Sequence, residues 1–169
     1  MGIDLGTMGV KSTLYSVDGN ILGNHYEGYP LNAPKPRYAE QSQEEWWEKT
    51  KITIKEILAQ SNVSSSDILG IGVCGQGHGL SPISKDGEFL HPCITWVDQR
   101  TDEQVKWILE NVGEEKVLKI NMFIVDNAYT APKILWLKEH IPTTYYNADC
   151  FLLPTDVLKY FLTGVYSTD

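Results

Sequence analysis

The chain has 169 residues, of which 42% are hydrophobic and 21% are charged, and its formal net charge is −8. No apolar run reaches the roughly 18 residues that a membrane-spanning helix requires, and the composition is unlike that of collagen-like, disordered or disulfide-rich chains. The acidic balance argues against nucleic acid as a partner, because contact with a phosphate backbone requires a basic stripe. We therefore predict a globular protein with neither nucleic acid nor a membrane among its partners.

The cysteines and the N-terminal residues indicate a cellular compartment. Cys74, Cys93 and Cys150 are odd in number and widely spaced, so the sequence contains no C-x-x-C pair for zinc or for dithiol chemistry. Asp4 places a charge where the apolar part of a secretory signal would be continuous. We expect reduced thiols and a cytoplasmic location.

The first predicted elements are three strands. Residues 2–5 and 10–17 have extended apolar patterns and are separated by the turn Gly6-Thr7-Met8-Gly9. A third strand follows Asp18-Gly19, a pair that favours a hairpin with a type I′ turn. The chain is therefore predicted to open with an antiparallel three-stranded meander.

A helix is predicted over residues 43–60, followed by a buried strand over residues 68–74. Ser42 and Glu45 have capping-box spacing, with Ser42 as the N-cap and Glu45 reaching back to it. One apolar face at helical spacing indicates core packing. The residues of that face are Trp47, Ile54, Ile57 and Leu58.

The rest of the chain is predicted to be mostly helical. One helix starts at a second capping box headed by Thr101, and another starts near Thr130 and is closed by Pro142. A short strand over 150–153 and a helix over 156–162 follow. The order β-β-β-α-β, then mainly helices, predicts an α/β fold with a mixed sheet.

The first segment with candidate chemistry runs from Asp4 to Lys11. Turn amides and the Thr7 hydroxyl can donate to phosphate oxygens, Lys11 supplies a positive charge, and Asp4 can hold Mg²⁺ or its waters. The segment is not a P-loop, because Val10 stands where that motif requires glycine and a strand follows. An ordinary glycine-rich hairpin with a surface lysine is an equal alternative on these residues alone.

A second candidate segment follows the predicted buried strand, at Gly75-Gln76-Gly77-His78-Gly79. Gln76 and His78 there offer amide and imidazole groups that can bind sugar hydroxyls, although a mobile loop with an incidental histidine has the same pattern. Further on, Trp96 can lie against a sugar ring. Asp98 and Arg100 provide either a polar ligand or a surface ion pair.

Taken in order, these segments resemble the N-terminal domain of the FGGY carbohydrate kinases, and within that family the xylulokinase-like pentulose kinases. The resemblance runs nearly from end to end of the chain. The matching stretches are Gly2–Thr7 with Lys11, Ala39–Ser42, Gly75–Gly79, Ile94–Arg100, Pro132–His140, Leu153–Asp156, Leu162–Gly164 and Thr168–Asp169.

The resemblance implies an actin-like, ribonuclease-H-like kinase fold and ATP-dependent phosphorylation of a ketose, such as the pentulose D-xylulose, with Mg²⁺. L-xylulose, L-ribulose, erythritol and glycerol are alternative substrates, and a non-catalytic sugar-binding protein of the same fold is an alternative of another class. The implied roles are Mg²⁺ binding for Asp4, contact with the ATP phosphates for Gly6, Thr7 and Lys11, and sugar binding for Gln76, His78, Trp96 and Asp98.

Three departures from the family pattern stand out. Gly77 replaces a common methionine, which leaves the identity of the sugar open, and Met8 replaces a hydroxyl residue of the phosphate turn. Family members are also much longer, so residues 1–169 are expected to be the N-terminal sugar- and phosphate-binding part, without the C-terminal ATP-binding domain. The catalytic base is expected beyond Asp169, and the chain alone is expected to be inactive. Whether it forms a homodimer is left open.

Overall fold

The structure is a computed structural model that describes residues 1–168 and divides into two compact units. The first unit contains residues 1–31, 42–77 and the segment from 154 onward, and the second contains residues 32–41 and 78–153. The expected place of the catalytic base, beyond Asp169, lies outside the described residues.

Within residues 1–168, eight strands and six α-helices form the two units. The strands are β1 (Gly2–Leu5), β2 (Gly9–Tyr15), β3 (Ile21–Gly28), β4 (Glu40–Gln41), β5 (Gly72–Gly75), β6 (Ser81–Ile83), β7 (Cys93–Ile94) and β8 (Cys150–Leu152). The helices are α1 (Gln43–Ser61), α2 (Asp102–Asn111), α3 (Glu114–Asn121), α4 (Thr130–His140), α5 (Pro142–Asn147) and α6 (Pro154–Thr163).

The first unit is built on a four-stranded sheet in the order β3-β2-β1-β5. β1 pairs antiparallel with β2 and parallel with β5, and β2 pairs antiparallel with β3. The sheet is therefore mixed, and the predicted β-β-β-α-β order is confirmed for this unit. The hydrophobic side chains of one sheet face, including Ile3, Leu5 and Val10, are buried, and α1 packs on β2 and β3 of this sheet.

The predicted hairpin after β2 is present, but its turn is not of type I′. β2 ends at Tyr15, and the amide of Ser16 donates to the carbonyl of Asn20 across the connection. Gly19 has a φ of 85°, whereas Asp18 is not among the residues with positive φ. Since a type I′ turn requires positive φ at both central residues, the wider connection carries the reversal instead.

Helix α1 begins as predicted, because the Ser42 hydroxyl accepts a hydrogen bond from the Glu45 amide at 3.1 Å. The second half of the capping box differs, since the Ser42 hydroxyl bonds to the carboxylate of Glu44. The helix lies against the sheet of its own unit, where it makes extensive contact with β2 and β3. Local sequence therefore sets the start of the helix correctly.

The buried face of α1 differs from the predicted one. Of the predicted residues, Ile57 is buried as expected, while Trp47, Ile54 and Leu58 are only half-buried. The other buried residues of the helix are Gln43, Trp46, Thr50 and Thr53. The threonine hydroxyls are satisfied inside the core: Thr50 donates to the Trp46 carbonyl, and Thr53 bonds to the Ser12 hydroxyl at 2.6 Å. A face selected by hydropathy alone leaves out threonines whose hydroxyls bond locally.

The strand predicted over 68–74 is shorter and more exposed than expected. β5 begins only at Gly72, and Cys74 within it is exposed. The reason is that β5 is the last strand of the sheet in the part of the chain that the structure describes.

The second unit contains two small antiparallel sheets, β4-β7 and β6-β8, and helices α2 to α5. Its core includes Leu80, Ile94, Trp136 and Leu137. The Thr101 hydroxyl makes no cap to α2, and it donates instead to the side-chain oxygen of Asn127. Helix α3 is not predicted from the sequence, and Pro142 begins α5 as well as ending the segment before it. None of the helices in residues 1–168 combines the length and apolar character that crossing a membrane requires.

Candidate functional site

In the first unit, Asp4 lies within a row of exposed side chains that crosses the sheet. It is paired with Lys11 on β2 and with Cys74 on β5, and Lys11 is paired with Tyr26 on β3. Directly paired residues point to the same face of a sheet, so the carboxylate of Asp4 and the ammonium of Lys11 share the face opposite the buried Ile3. They form no ion pair with each other in the described residues, which leaves both charges accessible to a ligand.

The Cys74 thiol lies against this carboxylate. Desolvation raises the pKa of Cys74, and the negative charge of Asp4 and a hydrogen bond to it act in the same direction. The thiol therefore stays protonated at neutral pH and donates to Asp4. It helps to orient the carboxylate and is poorly suited to act as a nucleophile.

The turn at residues 6–9 connects β1 to β2, and the carbonyl oxygens of Gly6, Met8 and Gly9 are bonded within the unit. The Gly6 carbonyl accepts from the Tyr29 hydroxyl at 2.5 Å, and the Met8 carbonyl accepts from the Tyr26 hydroxyl at 2.8 Å. The Gly9 carbonyl accepts from the Gly6 amide at 3.0 Å. The negative ends of these three peptide dipoles therefore accept hydrogen bonds from the protein itself.

The same turn packs closely against β3. A side chain at Gly9 would collide with the Tyr26 hydroxyl and the Glu27 carbonyl, so only glycine fits there. The Met8 amide has no acceptor within residues 1–168. A turn with bonded carbonyls and an unbonded amide has the polarity that an anion requires.

The donor set at this end of the sheet fits a hard cation bound together with phosphates. Among the described residues no group of three or more His, Cys, Asp or Glu side chains could enclose a metal. Mg²⁺ is usually held by one or two carboxylates, with substrate phosphates and water completing its octahedron. The single carboxylate of Asp4, beside the 6–9 turn, is sufficient for such a site.

Gln76 directly follows β5 in the same unit. Its backbone amide donates to the Leu5 carbonyl at 2.8 Å, and its side chain is buried with 7% exposure. β1 and β5 are parallel, so Gln76 and the 6–9 turn lie at the carboxyl ends of neighbouring strands. Such strand ends are where α/β sheets bind ligands.

In the second unit, His78 belongs to an aromatic cluster. It has a φ of 55° and an exposed side chain, and its ring meets the edge of Tyr129 with 4.7 Å between centroids. Tyr129 in turn stacks on Phe123 at 5.2 Å. The imidazole is therefore held by packing and still reaches solvent.

Trp96 is 42% exposed and lines a cavity of about 380 Å³ in the same unit. An exposed indole beside amide and carboxylate groups is a suitable surface for a polyhydroxylated ligand, whose ring or chain has an apolar side. The other lining residues are Val97, Gln99, Asp126, Asn127 and Ala128.

Asp98 is fully buried, and both of its carboxylate oxygens are engaged. Oδ1 accepts from the Arg100 backbone amide at 3.0 Å, and Oδ2 accepts from the Ala39 amide at 2.6 Å and from Arg100 Nη2 at 2.7 Å. Arg100 Nη2 also donates to Glu40 at 2.7 Å, and the guanidinium lies 3.7 Å from the ring centroid of Tyr38. This network differs from the expected sugar contact and gives Asp98 a structural setting.

Sequence reasoning does not single out Tyr26, Tyr29 or Lys133, although all three hold backbone beside candidate residues. The contacts of the tyrosines join residues 18 and 23 positions apart, which no local pattern reveals. Lys133 does leave a signal: it is a lysine in the first turns of a helix, where acidic side chains are favoured.

Comparison with known proteins agrees with these observations. The chain matches the FGGY family of carbohydrate kinases, N-terminal domain, over residues 1–169. The xylulose kinase of Bacillus subtilis (strain 168) is 38% identical over 169 residues, which are 100% of this chain and 34% of that protein. The xylulose kinase of Escherichia coli (strain K12) is 32% identical, with 100% and 34% covered. The chain thus spans about a third of the length of the curated relatives it matches.

Solved structures give the same result for the fold. The crystal structure of a xyloylose kinase from Brucella ovis aligns with a TM-score of 0.91 at 31% identity, covering 96% of this chain and 34% of that one. The xylulose kinase from Rhodospirillum rubrum aligns with a TM-score of 0.93 at 23% identity, covering 99% and 34%. The predicted family and the actin-like kinase fold are confirmed. This chain belongs to the FGGY family of carbohydrate kinases and carries its N-terminal domain.

Proposed function

We propose that the protein containing these residues is an ATP-dependent kinase that phosphorylates a ketose, with the pentulose D-xylulose as the first candidate. Membership of the FGGY family supports the reaction class, and the relatives named xylulose kinase support the candidate sugar. The observation that carries the proposal is the pairing of Asp4 with Lys11 beside a turn whose carbonyls are bonded elsewhere.

The first unit would receive the ATP phosphates. The Met8 amide and the Thr7 hydroxyl would donate to phosphate oxygens, and Lys11 would offset their negative charge. Asp4 would hold Mg²⁺, which when bound neutralises charge on the transferring phosphoryl group. Catalysis of phosphoryl transfer consists largely of such positioning and charge stabilisation.

We propose sugar-binding roles for Gln76 in the first unit and, separately, for His78 and Trp96 in the second. Gln76 and His78 have amide and imidazole groups for hydroxyls, and Trp96 offers an apolar surface for the carbon chain. Asp98 acts differently in this proposal: its buried pairing with Arg100 fixes the segment that carries Trp96.

We also propose that residues 1–169 are the N-terminal sugar- and phosphate-binding part, and that other residues supply the catalytic base and the adenine site. The threefold greater length of the relatives supports this division. Residues 1–169 alone would then bind ligands incompletely and transfer no phosphate.

A kinase for another ketose or a polyol is the second candidate, and Gly77 favours it. A Cβ added at Gly77 would meet no atom within 4 Å, and φ there is not positive. Neither conformation nor packing requires glycine at this position, so its effect is to leave space beside Gln76. L-xylulose, L-ribulose, erythritol and glycerol are therefore in the test set.

The test is sugar-dependent ADP release by the full-length protein with Mg-ATP across D-xylulose, L-xylulose, D-ribulose, L-ribulose, erythritol and glycerol. We expect the highest kcat/KM with a pentulose and an inactive Asp4→Ala variant. Highest activity with a polyol would replace the substrate while keeping the reaction. Sugar binding without ADP release would support the non-catalytic alternative. The absence of both sugar binding and ADP release would overturn the proposal.

A further inference from the structure

Lys133 is a buried lysine that donates to three backbone carbonyls. Its side chain has no accessible surface, and Nζ lies 2.6 Å from the carbonyl oxygens of Asn127 and Ala128 and 3.1 Å from that of Tyr129. An ammonium has three N–H donors and no acceptor. All of its hydrogen-bonding capacity is therefore directed at residues 127–129.

This position is unfavourable for a cation on other grounds. Lys133 is in the first turns of α4, near the helix end whose partial charge is positive. Burial of an unpaired charge is also costly. The three carbonyl contacts are the interactions that offset both penalties, so the ammonium and the 127–129 backbone stabilise each other.

The backbone that Lys133 holds forms one wall of the candidate sugar site. Asp126, Asn127 and Ala128 line the Trp96 cavity, and Tyr129 packs against His78. We call residues 126–129 the wall loop. All of these residues belong to the second unit.

The wall loop has a second attachment through the Asn127 side chain. Its amide donates to Asp102 at 2.6 Å and to Gln99 at 3.3 Å, and its oxygen accepts from Thr101 at 2.7 Å. These contacts hold the outer side of the loop to the start of α2. They engage the Asn127 side chain, whereas Lys133 binds the backbone carbonyls of the loop.

We propose that Lys133 is a positioning residue for sugar binding: its ammonium fixes the wall loop so that the Trp96 cavity and the Tyr129–His78 contact keep the shape that fits the sugar. The proposal rests on the proposed function of the site. Lys133 itself is buried and touches no ligand.

The protonation state of Lys133 gives this role a pH dependence. Desolvation by burial lowers the pKa of Lys133 to about 8, and the charge of Arg100 acts in the same direction. Asp98, Cys93 and Asp126 oppose this shift by raising the pKa. A neutral amine has two N–H groups, so at least one of the three carbonyls loses its donor. Sugar affinity is therefore expected to fall as the pH rises through about 8.

The pH dependence that Lys133 gives to global stability is opposite to the one expected for sugar affinity. The folded-state pKa of Lys133 lies below the value of about 10.4 for an unfolded chain, so between these values the unfolded state binds more protons. The contribution of Lys133 to the free energy of unfolding then increases with pH. If sugar affinity falls above pH 8 while the free energy of unfolding does not, the cause is a local release of the wall loop and not unfolding of the protein.

The experiment compares the full-length wild type with Lys133→Met and with the exposed-lysine control Lys138→Met. D-xylulose binding is measured by calorimetry from pH 7 to pH 9.5. At pH 7 we expect Lys133→Met to bind at least tenfold more weakly, with the KM for ATP unchanged, and to lack the pH step of the wild type. The control should match the wild type throughout.

Amide hydrogen exchange at pH 7 without any ligand is the second arm. In Lys133→Met, the amides of Ala128 and Tyr129 should exchange at least tenfold faster, while those of α1 keep their protection. Unchanged exchange, or a sugar affinity that is the same in all three proteins and at every pH, would overturn the proposal. If no sugar binds to the wild type, the proposed function fails, and the exchange arm still decides whether Lys133 holds the loop.

Should Lys133→Met fail to fold, the wild-type pH titration decides. A step near pH 8 in sugar affinity with a constant or rising free energy of unfolding supports the role, and a flat titration contradicts it.

Discussion

The hydroxyl of Tyr29 donates a hydrogen bond to the carbonyl of Gly6, with 2.5 Å between the two oxygens. Desolvation raises the pKa of Tyr29, and the neighbouring charges of Tyr26, Asp4 and Glu45 act in the same direction. The hydroxyl therefore keeps its proton and remains a donor at any physiological pH. Through this bond a residue after β3 fixes the 6–9 turn that would receive the phosphates of ATP.

Tyr29→Phe removes this bond and leaves the ring in place. We expect a loss of about 0.5–1.5 kcal/mol in the free energy of unfolding, the usual contribution of one hydrogen bond, and a severalfold rise in the KM for ATP. Urea unfolding and steady-state kinetics measure the two effects. Tyr15→Phe, at an exposed tyrosine of the same sheet, is the control and should change neither. An unchanged KM for ATP in Tyr29→Phe would show that the turn keeps its shape without the bond.

Asp4→Ala is expected to abolish turnover without changing sugar affinity, because the carboxylate would act on the metal and phosphates. Asp18→Ala, in the exposed hairpin connection, is the matched control and should be fully active. Steady-state kinetics with calorimetric sugar binding checks both statements. Near-normal kcat in Asp4→Ala would contradict the proposed metal role.

His78→Ala should raise the KM for the sugar by a factor corresponding to one hydrogen bond, about 0.5–1.5 kcal/mol in binding. The KM for ATP should stay constant, which serves as the internal control. The exposed ring held against Tyr129 is the structural basis for this expectation. If the KM is unchanged for every sugar tested, His78 is a loop residue that does not bind the sugar.

Asp98→Asn tests the structural role that the buried network gives to this carboxylate. Arg100 would keep only Glu40 as a charged partner, so we expect a loss of stability below the roughly 3–5 kcal/mol of a buried charge left with no partner. Urea unfolding measures the loss, and Glu115→Ala, from the exposed pair with Lys119, should show almost none. Normal stability combined with a higher sugar KM would instead support the direct contact expected from the sequence.

Gly77→Met should leave the free energy of unfolding unchanged, because a side chain there meets no neighbour within 4 Å. It should shift the ratio of kcat/KM between larger and smaller sugars by at least roughly tenfold, in favour of the smaller, because a side chain would occupy the open space at Gly77 and a difference of one methylene already has an effect of that size. Gly9→Ala is the contrasting variant, since its Cβ would collide with the Tyr26 hydroxyl, and it should be destabilised. An unaltered substrate ratio in Gly77→Met would show that the space beside Gln76 does not select the sugar.

Local features of the sequence predict much of the fold. The hairpin at Asp18-Gly19, the Ser42 cap and the helix from Thr130 depend on neighbours in sequence, and all three are present. Hydropathy predicts the buried face of α1 less well, because Thr50 and Thr53 bury their hydroxyls by bonding to nearby oxygens. The exposure of β5 depends on its place in the sheet, which hydropathy does not encode.

In the candidate site, too, some features are predictable from the local sequence and others depend on the tertiary structure. Asp4 and Lys11 are recognisable from the sequence, and the antiparallel register places them side by side. The bond from Tyr29 to Gly6 and the three bonds from Lys133 depend on tertiary packing. Asp98 and Arg100 are close in sequence, but only the fold decides whether their pair is buried or exposed.

The most direct test of the account is the formation of a phosphorylated sugar, followed by phosphorus NMR, from Mg-ATP and D-xylulose. Full-length wild type, full-length Asp4→Ala and residues 1–169 alone are compared under one set of conditions. The account predicts a sugar phosphate ester and equimolar ADP with the wild type and neither product with the other two. An ester formed equally well by Asp4→Ala, or no ester from the wild type with any ketose or polyol, would contradict it.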